Sequence, residues 1–79
     1  QYMTGIKIFA NNRQGLLMEI SKIFTESKID INSINTHISK QGIATLELSF
    51  IVGTRDELAH VTEELRQIPS VIDIERTAG

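Results

Sequence analysis

The chain lacks cysteine and tryptophan altogether and contains a single proline, Pro69. Without cysteine it can have no disulfide, no thiolate metal ligand and no thiol nucleophile. No apolar stretch approaches the roughly 20 residues that a membrane-spanning helix requires. A formal net charge of -2 provides no overall positive field, which argues against autonomous binding to a nucleic acid backbone. These absences predict a cytoplasmic protein with no membrane contact, no metal site and no cofactor.

The composition is otherwise that of an ordinary globular protein, with 41% hydrophobic and 23% charged residues among 79. A chain of this length forms one domain and buries only about 60% of the surface that its unfolded form exposes, so we expect a thin core. The first residues, Gln1, Tyr2 and Met3, are neither a signal peptide nor an initiating methionine. We therefore expect residues 1–79 to be a single domain cut from a larger protein.

Hydrophobic periodicity predicts six elements in the order β-α-β-β-α-β. Right-handed crossovers would place both helices on the same face of the sheet. The sequence thus predicts an α+β fold, a ferredoxin-like βαββαβ sandwich with a four-stranded antiparallel sheet and two helices on one face. The predicted elements are a strand from Met3 to Ala10, a helix from about Gln14 to Ser27, a strand through Ile34, Thr36 and Ile38, a strand from Ile43 to Val52, a helix from about Arg55 to Gln67 and a strand from Val71 to Arg76.

The alternation also predicts which side of the sheet is buried. Ile6, Ile8 and Ala10 of the first strand should face the helices, as should every second residue from Ala44 to Val52. The opposite face is polar and is expected to stay in contact with water. Its predicted members are Lys7, Asn35, Glu47 and Asp73.

Turn and capping signals mark the boundaries of the second half of the chain. Gly42 supplies a positive-φ position for the hairpin between the second and third strands. Thr54 and Glu57 form a capping-box pattern at the start of the second helix. Pro69 should end that helix, because the residue before a proline avoids the helical conformation.

The loop between the first strand and the first helix is the best candidate for a binding site. A helix N-terminus presents unpaired N–H groups and a partial positive charge, which can hold a carboxylate or a phosphate. Gly15 would let a ligand approach the backbone closely, Asn12 could bind a polar group and Arg13 could pair with an anion. This combination suits a small zwitterionic ligand. The candidate residues of this segment are Asn11, Asn12, Arg13, Gln14, Gly15, Leu16 and Leu17.

A purely structural interpretation of the same loop stays open. Gly15 can simply permit the turn from strand to helix, and Asn11 and Asn12 are common turn residues. The glycine spacing matches neither of the two glycine-rich patterns that bind nucleotide phosphates. A nucleotide-binding loop is therefore disfavoured.

Residues that could support catalysis do not form a recognisable set. His37 and His60 belong to no metal-binding pattern and are predicted to lie on a strand face and on a helix surface. No serine lies in a nucleophile elbow, and Glu63 and Glu64 are more typical of solvated helix charges than of an acid-base pair. The chain is therefore predicted not to be an enzyme in its own right.

Proteins of this fold class also serve two other functions. RNA recognition modules stack bases on aromatic side chains of their central strands. The outward residues of the third strand are Thr45, Glu47 and Ser49, and its only aromatic residue, Phe50, falls on the core side, so this function is disfavoured. An acylphosphatase-like hydrolase would use an arginine in the first strand-helix loop, where Arg13 lies, but the loop lacks a longer phosphate cradle. The hydrolase remains a remote alternative.

Short motifs in a consistent order resemble those of ACT domains. The run from Asn12 to Leu17, followed by Ile20 and Ser21, resembles the motif that opens the first helix of these domains. The segments 44–46 and 65–72 resemble the C-terminal ACT domain of RelA/SpoT-type GTP pyrophosphokinases, which synthesise and hydrolyse guanosine tetra- and pentaphosphate. The resemblance covers essentially the whole chain. Lys28 stands at a helix exit where glycine is frequent in the family.

The resemblance implies a regulatory domain at the C-terminus of a larger enzyme whose catalytic domains are absent here. Such domains typically form homodimers through sheet edges and helices and bind small ligands, often amino acids, between the copies. Asn12 to Leu17 would contribute from one subunit, and Asn32, Ser33 and Ile34 of the second strand from the other. Branched-chain amino acids are the expected ligands, and contact with the ribosome or tRNA is expected only in the parent protein. The alternative is a structural docking module without a small-molecule ligand.

Overall fold

The computed structural model describes residues 1–77, which form six elements. The strands pair antiparallel in one four-stranded sheet with the order β2-β3-β1-β4. This is the ferredoxin-like arrangement that the periodicity predicts. The elements are β1 (Tyr2–Asn11), α1 (Leu16–Glu26), β2 (Ile31–Ile38), β3 (Ile43–Val52), α2 (Arg55–Arg66) and β4 (Val71–Arg76).

The core lies between the two helices and one face of the sheet, as the alternation predicts. β1 and β3 are the two central strands, and their inward residues are fully buried. Phe24 of α1 and Phe50 of β3 lie in contact at the centre of this layer. The buried hydrophobic residues are Ile6, Ile8, Ala10, Leu16, Ile20, Phe24, Ile29, Ala44, Leu46, Leu48, Phe50, Val52, Leu58, Val61, Leu65, Ile68 and Ile74.

The open face of the sheet carries the predicted polar residues. Asn35, Glu47 and Asp73 are exposed and Lys7 is half-buried. The ammonium group of Lys7 lies 3.6 Å from the carboxylate of Glu47 on the neighbouring strand. At such exposure this ion pair contributes at most about 1 kcal/mol to stability.

A β-bulge at Asn32 explains an irregular apolar spacing at the start of β2. Ile31 pairs with Phe50, and Ile34 pairs with Leu48, although only one position of β3 separates those two partners. Asn32 is the extra residue, so Ile31 and Ile34 lie on the helix side of the sheet in spite of being three positions apart.

A second bulge corrects the predicted alternation of β4. Val71 pairs with Ala10 and Asp73 pairs with Phe9, so Ile72 is the extra residue on β4. Val71 and Ile74 therefore both face the core, and Ile72 is 56% exposed. Strict alternation from Val71 onward is wrong at this one position.

Helix α1 begins at Leu16, two residues later than the periodicity predicts. Gly15 is its N-terminal capping residue and has φ 85. This left-handed conformation does not belong to a right-handed helix, so the helix cannot include Gly15 or begin before it. The C-terminus is a Schellman motif. Ile29 N–H donates to the Phe24 carbonyl and Lys28 N–H donates to the Thr25 carbonyl, and the N···O distance is 3.0 Å in both hydrogen bonds. Lys28 adopts φ 60, a left-handed conformation that favours glycine over residues with a Cβ.

Helix α2 has the predicted N-terminal cap, with one difference in detail. The Thr54 hydroxyl accepts a 3.1 Å hydrogen bond from Glu57 N–H. The Glu57 carboxylate accepts from the N–H of Gly53 rather than from that of Thr54. The helix ends at Arg66, one residue before the predicted end. Across residues 1–77, neither helix is long and apolar enough to cross a membrane.

Strand β2 is almost uncovered, because the two helices do not reach over this edge of the sheet. Only Ile31 is half-buried, and every other residue of the strand is exposed. Ile34 and Ile38 are 36% and 50% exposed although they lie on the helix side. This bare edge borders the predicted binding loop.

Candidate functional site

The loop from β1 into α1 is held in place by two neighbouring segments. Asn11 N–H donates a 2.8 Å hydrogen bond to the Ser70 carbonyl ahead of β4. Asn12 N–H donates a 2.8 Å bond to the Gly42 carbonyl in the β2–β3 hairpin. The loop is therefore a fixed part of the scaffold, and it presents the start of α1 at the edge of the sheet.

The N-terminus of α1 offers hydrogen-bond donors. Gly15 has no side chain, and within the described part of the chain no side chain caps the helix. The N–H groups of Leu17 and Met18, at the second and third helical positions, thus have no acceptor within the helix or from a cap. They carry the partial positive charge of the helix start.

A groove of about 710 Å³ runs between this helix start and strand β2. One wall of the groove comes from the loop and the first turns of α1. The opposite wall and the base come from β2 and β3. Its lining is mostly apolar, with a few polar groups near the helix start. The loop and helix contribute Asn12, Arg13, Gly15, Leu16, Leu17, Met18 and Ser21, and the sheet contributes Thr36, Ile38, Ala44 and Leu46.

The structure brings most of the predicted loop residues to this groove. Asn12, Arg13 and Gly15 line it, together with Leu16 and Leu17. Leu16 is 4% exposed and belongs mainly to the core, whereas Leu17 is 48% exposed. Asn11 and Gln14 are exposed residues of the same segment but do not line the groove.

Arg13, which the sequence predicts to pair with an anion, has partners within the chain. Its guanidinium forms an ion pair with the carboxylate of Glu19, one turn into α1. Its Nε also donates a 3.2 Å hydrogen bond to the Ser70 hydroxyl. Arg13 therefore ties the loop to α1 and to the segment before β4. Its predicted pairing with an external anion stays a prediction.

The three predicted residues of β2 lie apart from the groove within one chain. The amide of Asn32 donates to the Ser49 hydroxyl over 3.3 Å, and the hydroxyls of Ser33 and Ser49 are 2.6 Å apart. Ser49 belongs to the open face of the sheet, so Asn32 and Ser33 lie there too. Ile34 lies on the helix side and is partly exposed at the bare edge. Their predicted role from a second subunit stays a prediction.

Six residues of the groove were not predicted from the sequence as part of the site: Met18, Ser21, Thr36, Ile38, Ala44 and Leu46. The alternation does place Thr36 and Ile38 on the helix side of β2, but it also predicts that a helix covers them. Met18 is 77% exposed, although its position beside the apolar stripe of α1 would predict partial burial. Two helices are too few to cover all four strands of the sheet. The number of predicted helices was therefore a signal in the sequence that one edge of the sheet stays open.

The predicted positions of the two histidines are confirmed. His37 is exposed on β2. His60 is exposed on α2, and its Nε2 lies 2.8 Å from the Glu64 carboxylate one turn later. Residues 1–77 contain no group of three or more side chains placed to hold a metal ion.

Comparison with known proteins identifies relatives of the whole chain. Residues 1–76 match the ACT domain family. The GTP pyrophosphokinase of Escherichia coli is 30% identical over an alignment of 79 positions that covers 99% of this chain and 11% of that protein. The chain thus spans about a tenth of the length of the curated relative that it matches.

Solved structures share the fold. The crystal structure of the ACT domain from the GTP pyrophosphokinase of Chlorobium tepidum superposes with a TM-score of 0.84 at 26% identity, covering 96% of this chain and 97% of that one. The acetolactate synthase small subunit from Thermotoga maritima also has a TM-score of 0.84, but at 14% identity it shares the fold alone. On the match across residues 1–76, the chain belongs to the ACT domain family.

Proposed function

We propose that this chain is the regulatory ACT domain of a RelA/SpoT-type GTP pyrophosphokinase and that it binds a small amino acid in the groove beside β2. The observation that carries the proposal is the groove itself. It combines free N–H groups at the start of α1 with an apolar wall that nothing in residues 1–77 covers. The domain would sense a ligand and perform no chemistry.

The chemistry of the groove suits the two ends of an aliphatic amino acid. The N–H groups of Leu17 and Met18 can hold the carboxylate, because the helix start favours negative charge there. The side-chain carbonyl of Asn12 and the hydroxyl of Thr36 are acceptors for the ammonium group. Leu17 and Ile38 provide apolar contact for a branched side chain. Arg13 acts through Glu19 to hold the loop rather than as the anion-binding group.

The edge of β2 suits pairing with a second copy. A sheet edge normally carries charged residues or proline, which prevent further strand addition. The residues of β2 include no charged residue and no proline. The other edge, β4, carries Asp73, Glu75 and Arg76 and a bulge at Ile72. A homodimer through β2 would cover the exposed isoleucines and could bring Asn32, Ser33 and Ile34 of the partner subunit towards the loop.

The parent enzyme is inferred from similarity to GTP pyrophosphokinases. The relatives are much longer than this chain, so the catalytic domains would lie elsewhere in the parent protein. Ligand binding here would control synthesis and hydrolysis of guanosine tetra- and pentaphosphate in the cytoplasm. In the parent protein the domain could also contact the ribosome or tRNA.

Calorimetry on the 79-residue chain tests the ligand. Valine, isoleucine and leucine are titrated to millimolar concentration, with glycine and D-valine as controls for the side chain and for handedness. At least one branched amino acid should give saturable heat, and the controls should give less. No heat from any of the three would defeat the ligand proposal.

A matched pair of variants links the heat to the groove. Leu17→Asp replaces an apolar contact of the proposed ligand by a negative charge close to its carboxylate, and the variant should remain folded because aspartate is favourable in the first turn of a helix. Met3→Asp is the control, because Met3 is 47% exposed against 48% for Leu17 and does not line the groove. Leu17→Asp should abolish the heat and Met3→Asp should preserve it.

A docking module without a ligand is the second candidate, and the exposed apolar residues of β2 favour it. It predicts a stable dimer with no amino-acid heat. The same calorimetric series, combined with sedimentation of the chain, separates the two candidates.

A further inference from the structure

We propose a second binding site, for the phosphate group of a small phosphorylated ligand, at the opposite end of the sheet. A cavity of about 780 Å³ lies where β1 begins, whereas the amino-acid groove lies where β1 ends. Its lining residues are Tyr2, Arg55, Leu58, Ala59, Thr62 and Arg76. This proposal does not depend on the groove or on the identity of its ligand.

Topology brings the two arginines to the same cavity. Arg55 is the first residue of α2, and Thr62 lies two turns later on the same face of that helix. Arg76 ends β4, and Tyr2 starts β1. Because β4 runs antiparallel to β1, the end of one lies near the start of the other. Tyr2 and Arg76 share the sheet face of Ile6 and so lie on the helix side.

The charge of this cavity is positive in a chain whose net charge is -2. No aspartate or glutamate lines it. The arginines elsewhere in the chain have carboxylate partners: Arg13 pairs with Glu19, and Arg66 lies 3.9 Å from Asp73. Along the described chain, neither of the two cavity arginines has an ion-pair partner.

The nearest carboxylates in sequence do not neutralise the cavity. Glu75 pairs in register with Lys7 and therefore lies on the open face of the sheet, away from Arg76. Asp56 follows Arg55 on α2 but does not line the cavity. Among residues 1–77, nothing acidic competes with an external anion for the two guanidinium groups.

A phosphate matches these donors better than a single carboxylate does. Two planar guanidinium groups offer paired N–H donors, and a phosphate has enough oxygen atoms to accept from both at once. The hydroxyls of Tyr2 and Thr62 add further donors. Leu58, Ala59 and the ring of Tyr2 form an apolar wall for the organic part of a ligand, and the volume lies within the range of small-molecule sites.

The fluorescence of Tyr2 can report binding directly. The chain has one tyrosine and no tryptophan, so its intrinsic emission comes from a residue of this cavity. Pyrophosphate and inorganic phosphate are titrated at constant ionic strength, with chloride as the control anion. Pyrophosphate should give a saturable change that chloride does not give. A chain acetylated at Gln1 should respond alike, which removes the terminal ammonium as the source.

Three variants decide whether the arginines bind the ligand. Arg55→Gln and Arg76→Gln should each raise the Kd for pyrophosphate at least tenfold. Arg66→Gln removes the same charge from α2 outside the cavity and should leave Kd within twofold. Circular dichroism melting of each variant establishes that it is folded under the titration conditions.

Three outcomes would overturn the proposal. The first is an equal Kd in all folded variants, and the second is an equal response to chloride. The third is binding of a short single-stranded RNA that depends on both arginines while pyrophosphate gives no response, which would assign the cavity to a polynucleotide backbone. Because Arg55 and Arg76 lie outside the groove, failure here leaves the amino-acid titrations unaffected.

Discussion

Phe24 of α1 and Phe50 of β3 meet edge to face, with ring centroids 4.9 Å apart and an interplanar angle of 71°. Both are almost completely buried, so this pair joins the first helix to the centre of the sheet. Edge-to-face pairs contribute about 0.5–1.5 kcal/mol beyond the burial of their area. A double-mutant cycle with Phe24→Leu and Phe50→Leu, measured by urea unfolding, should give a coupling free energy in that range.

The control for this cycle replaces Met3, which is 47% exposed on the open face of the sheet, opposite the layer that contains Phe24. Combining Phe24→Leu with Met3→Ala should give free energies of unfolding that add to within about 0.5 kcal/mol. If the phenylalanine cycle is equally additive, the pair contributes only through buried area.

Most of the fold could be predicted because apolar inward residues alternate regularly with outward residues along both central strands. Ile6, Ile8 and Ala10 alternate without interruption, and so do the inward residues of β3. The two bulges could not be predicted, because an extra residue such as Asn32 or Ile72 changes pairing without changing composition. Both are detectable only once the partner strand is known.

The candidate site was predicted in part for a similar reason. A glycine before an apolar stripe indicates a helix start, so the loop around Gly15 could be recognised. The pairing of Arg13 with Glu19 spans six positions across a helix cap, and no helical or strand periodicity indicates that spacing. Thr36 and Ile38 were assigned to a covered face, because the extent of the helix layer is a tertiary property.

Replacing Lys28 by glycine should stabilise the chain. Lys28 has φ 60, a conformation that costs a residue with a Cβ roughly 1–2 kcal/mol. Glycine removes this cost but loses more backbone entropy on folding, by about 0.5–1 kcal/mol. Lys28→Gly should therefore raise the free energy of unfolding by about 0.5–1 kcal/mol in urea or thermal denaturation.

Lys22→Gly is the matched control for that variant. Lys22 is exposed in the interior of α1, where glycine costs about 1 kcal/mol. The two variants lose the same side chain from the same helix region, yet their effects should have opposite signs. A loss of stability in both would mean that the Lys28 side chain, rather than its backbone conformation, matters at the helix exit.

Replacing Thr4 by valine should also increase stability. Thr4 is 2% exposed, and its hydroxyl has no hydrogen-bond partner in residues 1–77. A buried polar group without a partner costs about 1–3 kcal/mol, and valine keeps the shape of the side chain without that group. Thr4→Val should raise the free energy of unfolding by about 1 kcal/mol. Thr4→Ser keeps the hydroxyl, loses a buried methyl group and should lower it.

The proposed dimer edge is tested by charging one sheet edge at a time. Ile38 on β2 is 50% exposed and Ile72 on β4 is 56% exposed, so glutamate at either position removes a comparable apolar surface. Pairing along β2 would place two copies of Ile38→Glu with like charges at a buried interface, where unpaired charges cost several kcal/mol. Sedimentation velocity at matched concentrations should therefore find the unmodified chain and Ile72→Glu as dimers and Ile38→Glu as a monomer. The reverse pattern would move the interface to β4, and a monomeric unmodified chain at about 100 µM would show that the bare edge of β2 does not pair with a second copy.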